Sequence, residues 1–337
     1  MVQLSLLDRS RTRAGEPDGA ALSHTVERAV RAEALGFHRF WVAEHHAVPG
    51  IASGAPAVLL AAIGTRTRTI RIGSGGVMLP NHQPFVVAEQ FLVLEALFPG
   101  RVDLGVGRSL GFTPPVRRAL RSPASAPDSF ASDLAALGSY LDGTAEVTAR
   151  PAVPGGVPRF VLATGAGLEV AASLGLPVVV GGPVLESPDL PDLLARYRSG
   201  FRGDGRPTVL VSADVLVADT DDEARRLALP EAWAWATSRR TGSFPALEPV
   251  EAVQAAAAAQ VPPRVRADVE ASRSRVVAGS PASVRRRLEA LVDRTGAAEL
   301  LVFSSTFDRD ALAASDEALA GLFPASARSL DRPGTAA

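Results

Sequence analysis

Three of the chain's five histidines, His45, His46 and His82, fall in two short segments that follow apolar runs. Imidazole is the side chain whose ordinary pKa lies near neutrality, which suits it to move protons as a general acid or base. The first segment reads Ala43-Glu44-His45-His46. Neighbouring residues of an extended segment point to opposite faces, so His45 and His46 do not readily converge on one metal ion. The HExxH spacing of helix-borne zinc sites is missing as well. No metal is expected. One of the pair is instead a candidate base, with Glu44 placed to orient the other or to join a local polar network.

Three further features suggest a phosphorylated ligand. Gly75-Gly76 lets the backbone take unusual dihedrals or approach a ligand closely. Arg108 follows the glycine-rich run Gly105-Val106-Gly107, where it could hold a phosphate by charge-assisted bonds. Thr164-Gly165-Ala166-Gly167 lies between an expected strand and an expected helix, where backbone amides can receive a phosphate. Each feature also has a plain structural reading: a loop glycine pair, a surface ion pair, an ordinary strand–helix turn. Gly105-x-Gly107-x-x-x-Gly111 has the wrong spacing for a dinucleotide fingerprint.

These residues need a scaffold that gathers strand ends, and the hydrophobic pattern supplies one. Apolar strands are expected near residues 5, 41, 72, 104, 161, 179, 212 and 301. Helical patterns alternate with them, at 20–35, 55–64, 84–97, 167–174, 190–202, from 223, at 280–295 and at 308–322. Alternating strand and helix implies a parallel sheet with crossover helices. Eight such units favour an α/β fold of the closed (β/α)8 TIM barrel type over an open doubly wound sheet, with active residues at the C-terminal strand ends. Insertions are expected after strand 4 and strand 7. Residues 111–127 read as a long loop, 128–141 as an inserted helix, and 242–275 as low in order signals apart from 251–259. The expectation is one domain over 1–325 and a disordered tail over 326–337.

Composition narrows the function. The formal net charge is -1, which gives no electrostatic footprint for nucleic acid. Cysteine is absent, removing disulfides, thiolate nucleophiles and thiolate metal sites. All 35 basic residues are arginine, so there is no Schiff-base or Walker A lysine. The N-terminal segment is too charged for a signal peptide, and the apolar stretch near 170–185 is too short and too broken to span a membrane. A cytoplasmic protein that binds a small, mostly apolar molecule is expected.

The segments LSLLD (4–8), GFHRFWVAEHHAVPGIASGAP (36–56), RIGSGGVMLPNHQPFVVAEQFLVLEALFPGRVDLGVGR (71–108) and GSPASVRRRLEAL (279–291) resemble the bacterial luciferase-like flavin monooxygenases. The first three cover the first third of the chain most specifically. The resemblance implies an FMN barrel that uses reduced flavin, O2 and flavin C4a-peroxide chemistry to oxidise an aldehyde, aromatic or polyketide-like substrate. It implies His45 as the catalytic histidine and Gly75-Gly76 as a cis peptide under the isoalloxazine ring. It implies Arg108, Ala163, Thr164 and Gly165 as phosphate contacts, and the helix at 84–97 as the region that forms a homodimer. With no nicotinamide fingerprint in the chain, a separate NAD(P)H:flavin reductase is the expected partner. Two alternatives stand beside this: deazaflavin-dependent hydride transfer on the same barrel, and a non-catalytic flavin-binding protein. The second is motivated by the turn at 162–167, which carries one hydroxyl where the family usually has two serines.

Overall fold

The computed structural model describes residues 2–110, 113–122, 125, 128–259 and 262–323. The expected tail at 326–337 lies outside the described residues. Among the described residues there are nine strands: β1 (Gln3–Asp8), β2 (Arg39–Val42), β3 (Arg71–Met78), β4 (Val102–Gly107), β5 (Arg159–Leu162), β6 (Val178–Gly181), β7 (Val209–Val217), β8 (Val277–Gly279) and β9 (Glu299–Phe303). Strands β1 to β7 pair in sequence order, β7 pairs with β9, and β9 returns to β1, all in parallel. The result is a closed eight-stranded barrel, as the alternating pattern predicts. Strand β8 was not expected; it lies outside the ring, against Val215–Val217 at the far end of β7.

The sequence explains most of the elements. Strands covered on both faces read as continuous apolar runs. Several helices start at proline, whose missing N–H costs nothing there: Pro56–Arg66, Pro84–Leu97 and Pro281–Thr295. Gly242 and Gly296 end their helices in the left-handed conformation. Ser280 precedes Pro281 as expected, but its hydroxyl makes no cap; its backbone N–H donates to Asp221 Oδ1 at 2.7 Å. Among the described residues no helix is long and apolar enough to cross a membrane.

The insertions after β4 and β7 are more ordered than their composition suggests. A helix over Pro114–Ala119 occupies part of the expected loop, capped by the Thr113 side chain. The low-signal stretch after β7 holds two helices, Val250–Ala258 and Pro263–Ser274, packed with a third, Leu229–Thr241. Alanine and proline gave this stretch little apolar periodicity, so packing against the neighbouring helix, not an amphipathic stripe, sets its helices.

The barrel interior is a separate small core of Leu7, Trp41, Ala43, Phe160, Val179, Leu210 and Leu301. The Trp41 indole fills its centre, edge-on to Phe160 at 5.1 Å between ring centroids. It fits because β3 is glycine there: a Cβ on Gly73 would sit 2.5 Å from Trp41 Nε1. Below the indole lies a charged floor. Arg39 bridges Asp103 and Glu299, Arg71 joins Asp103, and Trp41 Nε1 donates to Asp103 at 3.2 Å.

A second buried ion cluster fastens β1 to the first and last helices. Arg28 is buried on the helix Asp18–Ala34. It donates to Asp8 at 2.8 Å, and through two nitrogens to Asp316 at 2.7 and 2.8 Å. Removing one partner of such a group strands the other charges in low dielectric. Arg28→Ala is expected to lower unfolding stability by about 3–5 kcal/mol, measured by urea denaturation; a loss below about 1 kcal/mol would contradict the assignment.

Candidate active site

The residues singled out in the sequence lie at four consecutive strand ends. His45 follows β2, Gly75 and Gly76 lie in β3, Arg108 follows β4, and Ala163, Thr164 and Gly165 follow β5. Strand register sets them side by side: Val42 faces Ser74, Met78 faces Gly107, and Gly107 faces Leu162. They form one arc of the C-terminal rim.

His45 is mostly buried, and its backbone N–H donates to Ser53 O at 2.8 Å. Burial, and then the positive charges of Arg9 and Arg11, push its imidazole down to about 4. It is therefore neutral at pH 7, able to accept a proton but not to donate one as imidazolium. His46 turns the other way, as the alternation argument requires. Its Nε2 lies 2.6 Å from Glu44 Oε1, and His82 Nε2 lies 2.7 Å from the same oxygen. Glu44 Oε2 accepts the N–H of Met78 at 3.0 Å. Burial raises the Glu44 carboxyl, but His82, Met78 N–H and His46 outweigh it and hold it below the usual range. Glu44, His46 and His82 thus form a trio that the pairing of His45 with His46 does not predict, with three ligand-type atoms within 4.8 Å of one another. The nitrogen–oxygen spacings are those of hydrogen bonds, and the trio clamps the end of β2 to the end of β3.

Gly75-Gly76 is a cis peptide. The space a Cβ would need at Gly75 is taken by Leu7 and Trp41, and at Gly76 by Gly105 O and Leu162. Barrel packing thus demands these glycines before any ligand does. Arg108 is half-exposed and paired with Asp128, which is the plain surface reading of that residue. Gly165 has φ +55 with open space around its Cα, and it precedes the helix Ala166–Ser173.

Beside this arc a cavity of about 590 Å³ opens at the ends of β6, β7 and β9. Its walls include Leu185, Trp235, Val277 and Phe303, with Ser212, Asp214 and Glu231 as polar members. The segment after β1 joins it to the His45 arc. Arg9 donates to Glu231 at 2.7 Å and to Ser305 at 3.0 Å, and its guanidinium lies 4.8 Å over the Phe303 ring. Arg11 donates to Glu231 at 2.8 Å and to Pro245 O at 3.2 Å. Burial pushes Asp214 up to about 7, against the pull of Arg9.

A profile of the luciferase-like monooxygenases matches residues 2–299. The chain belongs to this family. A luciferase-like monooxygenase of Escherichia coli (strain K12) is 35% identical over 324 residues, covering 92% of this chain and 93% of that one. The crystal structure of apo-MsnO8 aligns with a TM-score of 0.84 and 34% identity, over 96% of this chain and 98% of that one. The FMN-bound oxygenating constituent of 3,6-diketocamphane monooxygenase from Pseudomonas putida shares the fold at a TM-score of 0.72 and 20% identity, over 95% and 97% of the two chains.

Sequence reasoning missed the second half of this chain's rim. Arg9, Arg11 and Arg13 were noted only as charge, yet all three side chains turn inward, and Arg13 reaches Phe307 O at 2.6 Å. Their signal was the period of two directly after a strand. Asp214 had a similar signal: Ser212 and Asp214 alternate inside the apolar run Val209–Val217.

Two buried histidines carry a pH consequence. His24 and His45 are each pushed down to about 4 from 6.5. The unfolded chain takes up protons below pH 6.5 that the fold refuses until about 4, so stability is lost as pH falls through that window. Each contributes up to about 3 kcal/mol. Asp214 acts with the opposite sign, costing stability as pH rises from 3.8 to about 7. A His24→Asn/His45→Asn variant is expected to show a shallower acid limb in urea denaturation against pH; an unchanged limb would contradict the burial assignment.

Proposed function

We propose that this protein is a flavin-dependent monooxygenase that uses reduced FMN and O2 to oxidise a small, largely apolar organic substrate. The observation that carries the reading is the single arc of His45, Gly75-Gly76, Arg108 and the 163–165 turn beside a cavity of about 590 Å³. The residues fit the cofactor. The helix N-terminus at Gly165 offers backbone amides next to unfilled space, and Arg108 stands at the adjoining strand end. Arg108, Ala163, Thr164 and Gly165 would hold the phosphate, with Gly75-Gly76 under the ring system. Bound reduced flavin supplies the electrons that activate O2.

The chain's own residues supply proton control and exclusion of water. His45 is neutral and desolvated, so it accepts a proton through an imidazole nitrogen when negative charge beside it raises its pKa. Leu185, Trp235, Val277 and Phe303 give the substrate an apolar seat. A separate NAD(P)H:flavin reductase supplies the reduced FMN, since the chain lacks a nicotinamide fingerprint. The helix Pro84–Leu97 forms a homodimer contact in this reading: Val86, Val93 and Leu97 are exposed at spacings of seven and four, which makes one apolar stripe.

Mixing the protein anaerobically with reduced FMN and then with oxygenated buffer, alongside a screen of aldehydes, ketones and aromatics, tests the proposal. His45→Ala is expected to lower substrate oxidation by roughly 10²–10⁴-fold while FMN still binds. Arg108→Ala is expected to weaken FMN binding by about tenfold or more. Binding of reduced deazaflavin in place of reduced FMN, or equal turnover by His45→Ala, would overturn it.

A further inference from the structure

The cavity beside the flavin arc contains a carboxyl group that neither the barrel nor the ion clusters use. On β7, Val211, Ala213 and Val215 face the outer core, and Leu210 joins the interior core. Ser212 and Asp214 alternate with the outer set, so both face inward, and both line the cavity. Asp214 is paired in register with Phe303 of β9, and Arg9 covers that ring. Among the described residues no hydrogen bond or ion pair holds the Asp214 carboxyl. Arg9 and Arg11, the nearest cations, are both committed to Glu231.

We propose that Asp214 is the polar anchor for the substrate: beside Ser212, its carboxyl donates a hydrogen bond to a carbonyl-type oxygen of an otherwise apolar molecule seated against Phe303, Trp235 and Leu185. The proposal rests on the cavity being the substrate site of the monooxygenase. The charges around Asp214 select the ligand class. Arg9 and Arg11 approach from the segment after β1, and Glu231 from the helix Leu229–Thr241. The β6 and β9 ends that flank β7 offer Gly181 and Phe303, which carry no charge. Farther along the wall, Arg275 is paired with Glu186, while Arg287 and Arg294 donate to backbone carbonyls. Arg9, Arg11 and Glu231 sum to one positive charge. An ammonium ligand would meet that charge, and a carboxylate ligand would find both arginines already committed to Glu231. A neutral carbonyl oxygen meets neither obstacle. It accepts a hydrogen bond from the carboxyl O–H of Asp214, whose proton burial retains up to about pH 7.

Binding of cyclooctanone, cyclooctane and cyclooctylamine to the full chain without flavin tests this, by calorimetry and by the fluorescence of Trp235 in the cavity wall. Measurements at about pH 5.5 and about pH 8.5 bracket the Asp214 value of about 7. At the lower pH the ketone is expected to bind about tenfold more tightly than the hydrocarbon, the worth of one hydrogen bond. Most of that preference is expected to vanish at the higher pH. Asp214→Asn, which keeps a donor, is expected to hold the preference at both pH values, and Asp214→Leu to abolish it. Tightest binding by the amine, strengthening as pH rises, would overturn the proposal. So would an undiminished ketone preference in folded Asp214→Leu. A ketone preference that depends on Asp214 in a protein inert toward reduced FMN would sink the flavin reading and leave the anchor standing. Flavin turnover with no dependence of ketone binding on Asp214 would do the reverse.

Discussion

The pairing of β1 with β9 is the constraint on which the rest depends. Gln3–Leu6 lies in parallel register with Glu299–Val302. That contact removes both edges of an otherwise open sheet and brings every C-terminal strand end to one rim. It also brings residues from opposite ends of the chain into one site. The segment after β1 carries Arg9 and Arg13 against Ser305, Thr306 and Phe307, which follow β9. Residues nearly 300 positions apart thus share hydrogen bonds at the mouth, as in the 294-residue separation between Arg13 and Phe307.

Within that rim, desolvation sets the protonation states and specific partners correct them. The same burial that pushes His45 down pushes Asp214 up, because in each case it disfavours the charged form. Glu44 and Glu231 escape, since each receives hydrogen bonds or facing cations that outweigh burial. Between about pH 4 and 7 the mouth therefore holds two neutral groups, His45 and Asp214, between two carboxylates whose charge is already used. Arg9 belongs to both halves. It lowers the His45 pKa, counters the rise at Asp214, and stacks on Phe303 in the cavity wall.

The fold was legible because a parallel barrel has a strong one-dimensional signature. The eight barrel strands show up as short apolar runs, and prolines and glycines mark many helix ends. The helix Val250–Ala258 matches the expectation over 251–259, whereas Pro263–Ser274 was harder to read because it owes its order to the helix Leu229–Thr241. Strand β8 was illegible because three residues carry no period. In the site, His45 was readable from histidines after an acid at a strand end. Its distinction from His46 required strand geometry and family resemblance. The link from Glu44 to His82 spans 38 residues and has no local mark.

By itself the sequence determined the chemistry on offer: histidines and glycines after apolar runs, no thiols, no lysine, and a near-even balance of charge with no footprint for nucleic acid. Those follow from composition and period, which do not depend on where the chain goes. The tertiary structure decided which groups are charged and which face each other. It turned the arginines at 9, 11 and 13 from mere charge in the N-terminal segment into a largely buried brace, and Asp214 from a strand residue into a cavity wall. The reason is that desolvation and long-range pairing depend on neighbours supplied by other strands, and barrel closure alone brings those neighbours together.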